Sequence, residues 1–284
     1  MIHTLPPLFW SLVVARAQIP SGIGLATVLI LVACGGGGVV DESTPSPCLS
    51  SLDYGRSPGV LIVEADTYGG LTPPPTGRHV AEASIYGDGL VVLASDEQSS
   101  VGTDRVVRTG HISEEELGEL LSFIADTGFF ELDDQYMPSP ALPDMPWRHV
   151  IVNLLGCSKS IAIYPYDFAD APTAFSDVYQ ELMGVEPSDA TVFKPPSGVL
   201  TATDLGPIDG LPGGQQSQVA PWDSPLVGIE LVDAREGTHL AGEQYRAVED
   251  FLLRYPPGQL FGSQQGRAYQ VLLEADLPWE DASP

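Results

Sequence analysis

Apolar and polar positions fall into two repeats along this chain, one of period two and one of period 3.6. Residues 59–66 (Gly-Val-Leu-Ile-Val-Glu-Ala-Asp) are aliphatic and β-branched, and Pro58 and Gly69-Gly70 bound them, which predicts a strand. Two further apolar runs, 82–86 and 90–93, flank Gly87-Asp88-Gly89, whose residues tolerate a positive φ, so they predict a β-hairpin. A short strand is expected at 105–109. Ser113 then opens a capping box with Glu116, and Leu117, Leu120, Leu121 and Ile124 follow at helical spacing up to Gly128. That pattern predicts a helix over 113–127.

The runs 149–155 and 160–164 predict a second hairpin, with Cys157 in its turn. Phe175, Val178 and Leu182 lie on one face of a helix over 172–183. From 187 to 225 the chain is rich in Gly, Pro, Ser, Thr and Gln, with a weak strand signal at 199–203 only. It then predicts a strand at 227–232, a helix at 243–254 stopped by Pro256-Pro257, and a strand at 268–274. The fold class expected is α+β, antiparallel hairpins packed with a few amphipathic helices. Its expected parts are a domain at 58–187, a linker or long loop at 188–217, and a smaller unit at 218–280. Thr109-Gly110-His111-Ile112 and Gly237-Thr238-His239-Leu240 each precede a predicted helix, and Gly128-Phe129-Phe130 and Gln259-Leu260-Phe261 each follow one. The two regions thus read as two related strand-helix-strand units or as a chance match.

Residues 22–33 carry no charge and end at Cys34, with glycines at 35–38 and a polar stretch after them. This run has the length of a signal-peptide h-region and falls short of the roughly 20 residues that span a bilayer. Its end, Leu31-Val32-Ala33-Cys34, resembles the lipobox of bacterial lipoproteins. The resemblance implies cleavage of residues 1–33, a lipid on the Cys34 thiol, and a flexible tether over 34–57. Two or three acyl chains, at about 0.8 kcal/mol per buried methylene, hold a soluble body durably at a membrane. The stretch before the h-region is long, and Arg16 is its only Lys or Arg, so initiation at Val13 or Val14 is an alternative start. The body's hairpin at Tyr86-Gly87-Asp88-Gly89, with the strand before it and the glutamate-rich helix start after it, resembles a group of uncharacterised exported bacterial lipoproteins. That resemblance covers about residues 58–165 and implies an α+β domain, with no activity attached.

With Cys34 lipidated, Cys48 and Cys157 remain, an even pair in a compartment that permits disulfides. They either bond, pinning the tether to the body, or stand as two separate thiols. In either case both are expected to be accessible.

The chain has 284 residues, 43% hydrophobic, enough for a sizeable core. Its 38 acidic residues against 12 basic give a net charge of -26, which excludes a nucleic-acid partner because nothing here would replace phosphate counterions. Loss of residues 1–33 removes Arg16 and no acid, so the shortened chain is one charge more negative.

Catalytic signatures are sparse. Gly-x-Ser-x-Gly is absent, and neither Lys159 nor Lys194 has a serine three residues before it. His3, His79, His111, His149 and His239 are isolated, with none at the spacing that places two zinc ligands on one helical face. His111 and His239 occupy matching places before their helices, either as a paired site or as helix-entry residues. Asp133-Asp134 reads as a calcium ligand pair or as a solvated face, and the second is favoured because the alternating Asp loop is missing. No metal, cofactor or catalytic residue is assigned.

Trp147, Tyr164, Tyr166 and Phe168 form an aromatic cluster, read either as a platform for sugars or peptides or as the core and rim of a sheet. The function expected is a lipid-anchored extracytoplasmic envelope component that binds a partner or fills a structural role without catalysis, its partners the membrane through Cys34 and an envelope protein or glycan. The alternatives are a glycan- or peptide-binding module and an envelope-polymer hydrolase whose carboxylates converge only in the fold.

Overall fold

The computed structural model describes residues 48, 50–70, 77–95, 101–137, 143–164 and 171–280. Thr44–Pro284 forms one compact unit, with mixed helices and strands and two sheets, an α+β fold.

The chain enters through β1 (Leu61–Gly69), then β2 (Gly77–Arg78), β3 (Ala83–Tyr86), β4 (Leu90–Ser95), β5 (Gly102–Thr103) and β6 (Val106–His111). Helix α1 (Glu114–Asp126) follows. The Ser113 hydroxyl accepts from the Glu116 amide at its start while the Glu116 carboxylate accepts from the Ser113 amide, a reciprocal cap. Next come β7 (Gln135–Tyr136), β8 (Pro146–Leu154), β9 (Cys157–Ile163) and α2 (Thr173–Gly184). Together with β10 (Thr191–Val192) these strands, apart from β2 and β5, build an eight-stranded sheet in the order β10-β6-β4-β3-β1-β8-β9-β7. All its pairings are antiparallel except that of β7 with β9. One face packs on α1 and α2: Leu117, Leu121 and Ile124 meet Phe175, Val178 and Leu182 over Val63, Ala65, Ile85, Val150 and Ile161.

The second sheet is built from β11 (Ser197–Pro207) onward. After it come α3 (Gly213–Gln216), β12 (Val219–Pro221), α4 (Ser224–Val227), β13 (Thr238–Ala241), α5 (Gly242–Leu252), β14 (Leu260–Gly262) and β15 (Arg267–Ala275). The main path runs β12-β14-β15-β11-β13, and its core gathers Leu200, Trp222, Tyr245, Val248, Phe251, Phe261 and Tyr269.

Three expectations change here. The stretch 188–217, read as linker or long loop, contains β11, which pairs with β15 along nine residues and with β13 along four. Its Gly-Pro-rich composition masked the alternation of Gly198, Leu200 and Ala202, buried between exposed or half-buried neighbours. The division into separate units at 58–187 and 218–280 is also bridged, because β5 pairs with both β2 and β15, so the first half supplies strands to the second sheet. Gly102 makes that crossing at φ +91, where a Cβ would fall 2.5 Å from the Tyr245 hydroxyl. Finally, 227–232 is not a strand. The Asp223 carboxylate caps the short helix α4, Pro225 sits in its first turn, and Gly228 ends it in the left-handed region. Val227, Ile229 and Leu231 are buried at alternate positions, which imitates strand spacing in an irregular segment.

The second hairpin forms as β8 and β9, with Leu155-Gly156 as its turn and Cys157 as the first strand residue, opposite Leu154. Among the described residues no helix is long and apolar enough to cross a membrane.

Candidate functional site

Alternation along β1 sends Val63 and Ala65 into the helix-covered core, and so turns Glu64 and Asp66 to the opposite face of the sheet. A carboxylate there must be paired if it is to remain charged out of water. The Asp66 side chain is 4% exposed and has two cationic partners: Arg105 Nη1 lies 2.7 Å from Oδ1, and His79 Nε2 lies 2.7 Å from Oδ2. The Arg105 guanidinium is itself held, donating to the Val80 carbonyl at 3.0 Å and to the Thr67 carbonyl at 3.4 Å, with Glu82 3.8 Å away. The Tyr179 hydroxyl donates to Glu82 and lies 3.1 Å from the Thr67 hydroxyl, so the network reaches α2.

His79 is clamped from both sides, since its Nδ1 lies 2.5 Å from Asp104 Oδ2. The other Asp104 oxygen accepts from the Val80 amide at 3.0 Å, which fixes the carboxylate in place. Burial alone lowers the imidazole pKa, but hydrogen bonds to Asp66 and Asp104 outweigh it and the net shift is upward. Both contacts are hydrogen bonds only when both ring nitrogens carry protons, so the geometry selects the imidazolium.

Beside this clamp lies a cavity of about 310 Å³. Glu64, Asp66 and His79 line its polar side, and Leu61, Tyr86 and Trp279 are among its apolar and aromatic residues. Glu64 Oε1 is 3.1 Å from His149 Nε2, whose ring meets Tyr68 edge-on at 5.0 Å. Tyr86 and Trp279 stack at 5.3 Å. Burial, then the nearby Glu64 charge, push the Tyr86 hydroxyl pKa up, so it stays a neutral phenol. Trp279 is positioned by the segment after β15. Leu277 packs on Val80, Val92 and Val107, and Glu280 pairs with Arg78 while accepting from the Leu277 amide. The cavity is thus bounded by two parts of the chain about 200 residues apart, as the Arg78–Glu280 separation of 202 records.

Of the residues singled out from the sequence, Cys34, Tyr166 and Phe168 lie outside the described residues. Cys48 and Cys157 are joined in a disulfide, with Cα atoms 5.2 Å apart. Cys48 is 3% exposed, contrary to the expected accessibility, because it joins the helix-side core with Tyr54 and Leu154. Trp147 and Tyr164 pack together at 4.8 Å, and Tyr164 is buried with its hydroxyl accepting from the Met145 amide. This pair therefore does not offer two open ring faces.

Asp134 is paired with Lys159 at 2.7 Å, and among the described residues no group of three or more His, Cys, Asp or Glu is placed to hold a metal ion. His111 ends β6 and His239 lies within β13, each strand preceding a helix, yet each histidine takes its own aspartate, Asp189 at 3.8 Å and Asp276 at 2.9 Å. The internal echo stops there, since Phe129–Glu131 is a 3-10 turn whereas Leu260–Gly262 is a strand.

The residues of the cavity were missed. His79 looked isolated because its partners stand 13 and 25 positions away. The signal that would have found the site is in β1 itself, where two carboxylates two residues apart interrupt an aliphatic run and therefore share one face of the strand. Comparison with known protein families, with curated proteins and with solved structures finds no match to this chain.

Proposed function

We propose that this protein is a lipid-anchored extracytoplasmic binding component that holds a small ligand in the cavity over β1 and releases it unchanged. The observation that carries the binding half is the clamping of His79. A general acid or base needs a ring nitrogen within reach of the reacting proton, and both of its nitrogens are already held by carboxylates. Asp66 is likewise committed to Arg105, so the charges beside the cavity are fixed in place, which suits recognition. The address rests on Leu31-Val32-Ala33-Cys34, and the Cys48–Cys157 bond supports it because disulfides persist mainly in oxidising compartments.

One observation favours a second reading, an envelope-polymer hydrolase: Glu64 and Asp66 reach the same cavity, as paired acids must. A single experiment separates the two. The full chain, extracted from membranes with detergent, is incubated with envelope glycans, peptides and small charged compounds, and each is recovered and weighed by mass spectrometry. Retention of unchanged compound supports binding; a cleaved product that disappears in Glu64→Gln supports hydrolysis. The intact mass of the same preparation tests the address, with an acylated chain beginning at Cys34 as the expected result.

A further inference from the structure

We infer that the cavity over β1 selects a small organic cation, an ammonium group carried on an apolar or hydroxylated body. This rests on reading the cavity as a binding site and adds the ligand class.

Glu64, Asp66, Glu82 and Asp104 surround or support the cavity, and the positive groups in contact with them are Arg105, His79 and His149. Four carboxylates meet one guanidinium and two imidazoles, so the surroundings stay negative even with both imidazoles protonated. Arg78 is already neutralised by Glu280. Among the described residues that line or support the cavity, an anion would meet this field with no unclaimed positive group.

Asp66 uses both oxygens on Arg105 and His79, whereas among the described residues Glu64 is held through Oε1 alone, by His149. Its second oxygen is the acceptor left for a ligand. Glu64 is 23% exposed, so an ion pair there is shielded from most of the solvent yet open to entry.

Tyr86 is buried and stacked on Trp279, so the half-buried Trp279 is the aromatic ring that the cavity wall offers to a ligand. Aromatic faces attract ammonium groups when the cation is partly desolvated, and aromatic residues beside carboxylates are a recurrent way of recognising them. A volume near 310 Å³ is at the small end of ligand sites. The net charge of -26 also raises the local concentration of cations over the whole surface.

The test uses the full chain in detergent and isothermal titration with choline, with its uncharged isostere dimethylbutanol, with spermidine, and with glucose as a neutral polyol. The expected result is binding of at least one of the two cations, no detectable heat with dimethylbutanol, and about tenfold weaker binding in Glu64→Gln, the loss of one charge-assisted contact. Trp279→Leu gives a second readout, expected to weaken the quaternary ammonium more than spermidine, and serves should Glu64→Gln fail to fold. Equal binding of choline and dimethylbutanol, or binding of glucose alone, overturns the cation assignment while leaving a binding cavity. Absence of binding by both cations overturns the assignment too, and cleavage products in the preceding experiment would overturn the binding reading itself.

Discussion

Arg105 Nη1 and Asp66 Oδ1 meet at 2.7 Å with less than a tenth of either side chain exposed. A buried pair of this kind contributes little compared with an apolar replacement, but removal of one member leaves the other charge stranded. Arg105→Met is therefore expected to lower unfolding free energy by about 3–5 kcal/mol, and Arg105→Met with Asp66→Leu to recover much of it. Urea denaturation of the three proteins decides it. Equal stability of Arg105→Met and the parent would remove the network from any role in holding β1 to the bend between β5 and β6.

His79 predicts a pH dependence with a definite sign. Its folded pKa is raised above the ordinary imidazole value, so its stabilising contribution is complete below about pH 6.5 and is lost as pH climbs through the folded value. Half of the side chain is exposed, so solvent screens part of the effect. Melting temperature measured from pH 5.5 to about 9 should fall in the parent relative to His79→Gln, and the two curves should converge at the alkaline end. A parent curve parallel to that of the variant would mean that the clamp does not hold the imidazolium.

The Cys48–Cys157 bond spans 109 positions. In the chain-entropy account, a closed loop of that length restricts the unfolded chain by about 4–5 kcal/mol. Cys48→Ala with Cys157→Ala should show a loss of this order in chemical denaturation, and added reductant should then leave the double variant unchanged. Alkylation of both Cys48 and Cys157 in the unreduced parent would contradict the bond.

Ser113 offers a local control remote from the cavity. Its hydroxyl and the Glu116 carboxylate satisfy each other's backbone donors at the start of α1. Ser113→Ala should cost about 1 kcal/mol, readable as a small shift of the denaturation midpoint, and should leave binding in the cavity intact.

The elements that periodicity placed well were those with a local cause. Leu117, Leu121 and Ile124 repeat at helical spacing behind a cap that is complete within four residues, and the β3–β4 hairpin turns on Gly87-Asp88-Gly89. β11 was obscured because its strand character comes from two neighbours, β13 and β15, rather than from its own composition. At 227–232 the same reasoning failed in the opposite direction: burial at alternate residues came from the surrounding core, while Asp223, Pro225 and Gly228 set the local backbone. The cavity was least legible of all. Asp66 and Glu64 lie on one strand, but Asp104, Arg105, His149 and Trp279 come to it through pairings and packing that no short window of sequence contains.

The pairing of β5 with β15 also fixes an order of events during synthesis. β15 is flanked by β11 and β14 and touches β5, yet its nine residues follow every other strand of that sheet in the chain. The second sheet cannot close until those residues arrive, and neither can the aromatic wall, since Trp279 comes later still. A chain stalled before residue 267 would hold β11 with its longest partner missing, an exposed edge open to proteases and to other strands. Emergence of residues 267–279 is therefore the checkpoint at which this protein acquires both its second sheet and its cavity.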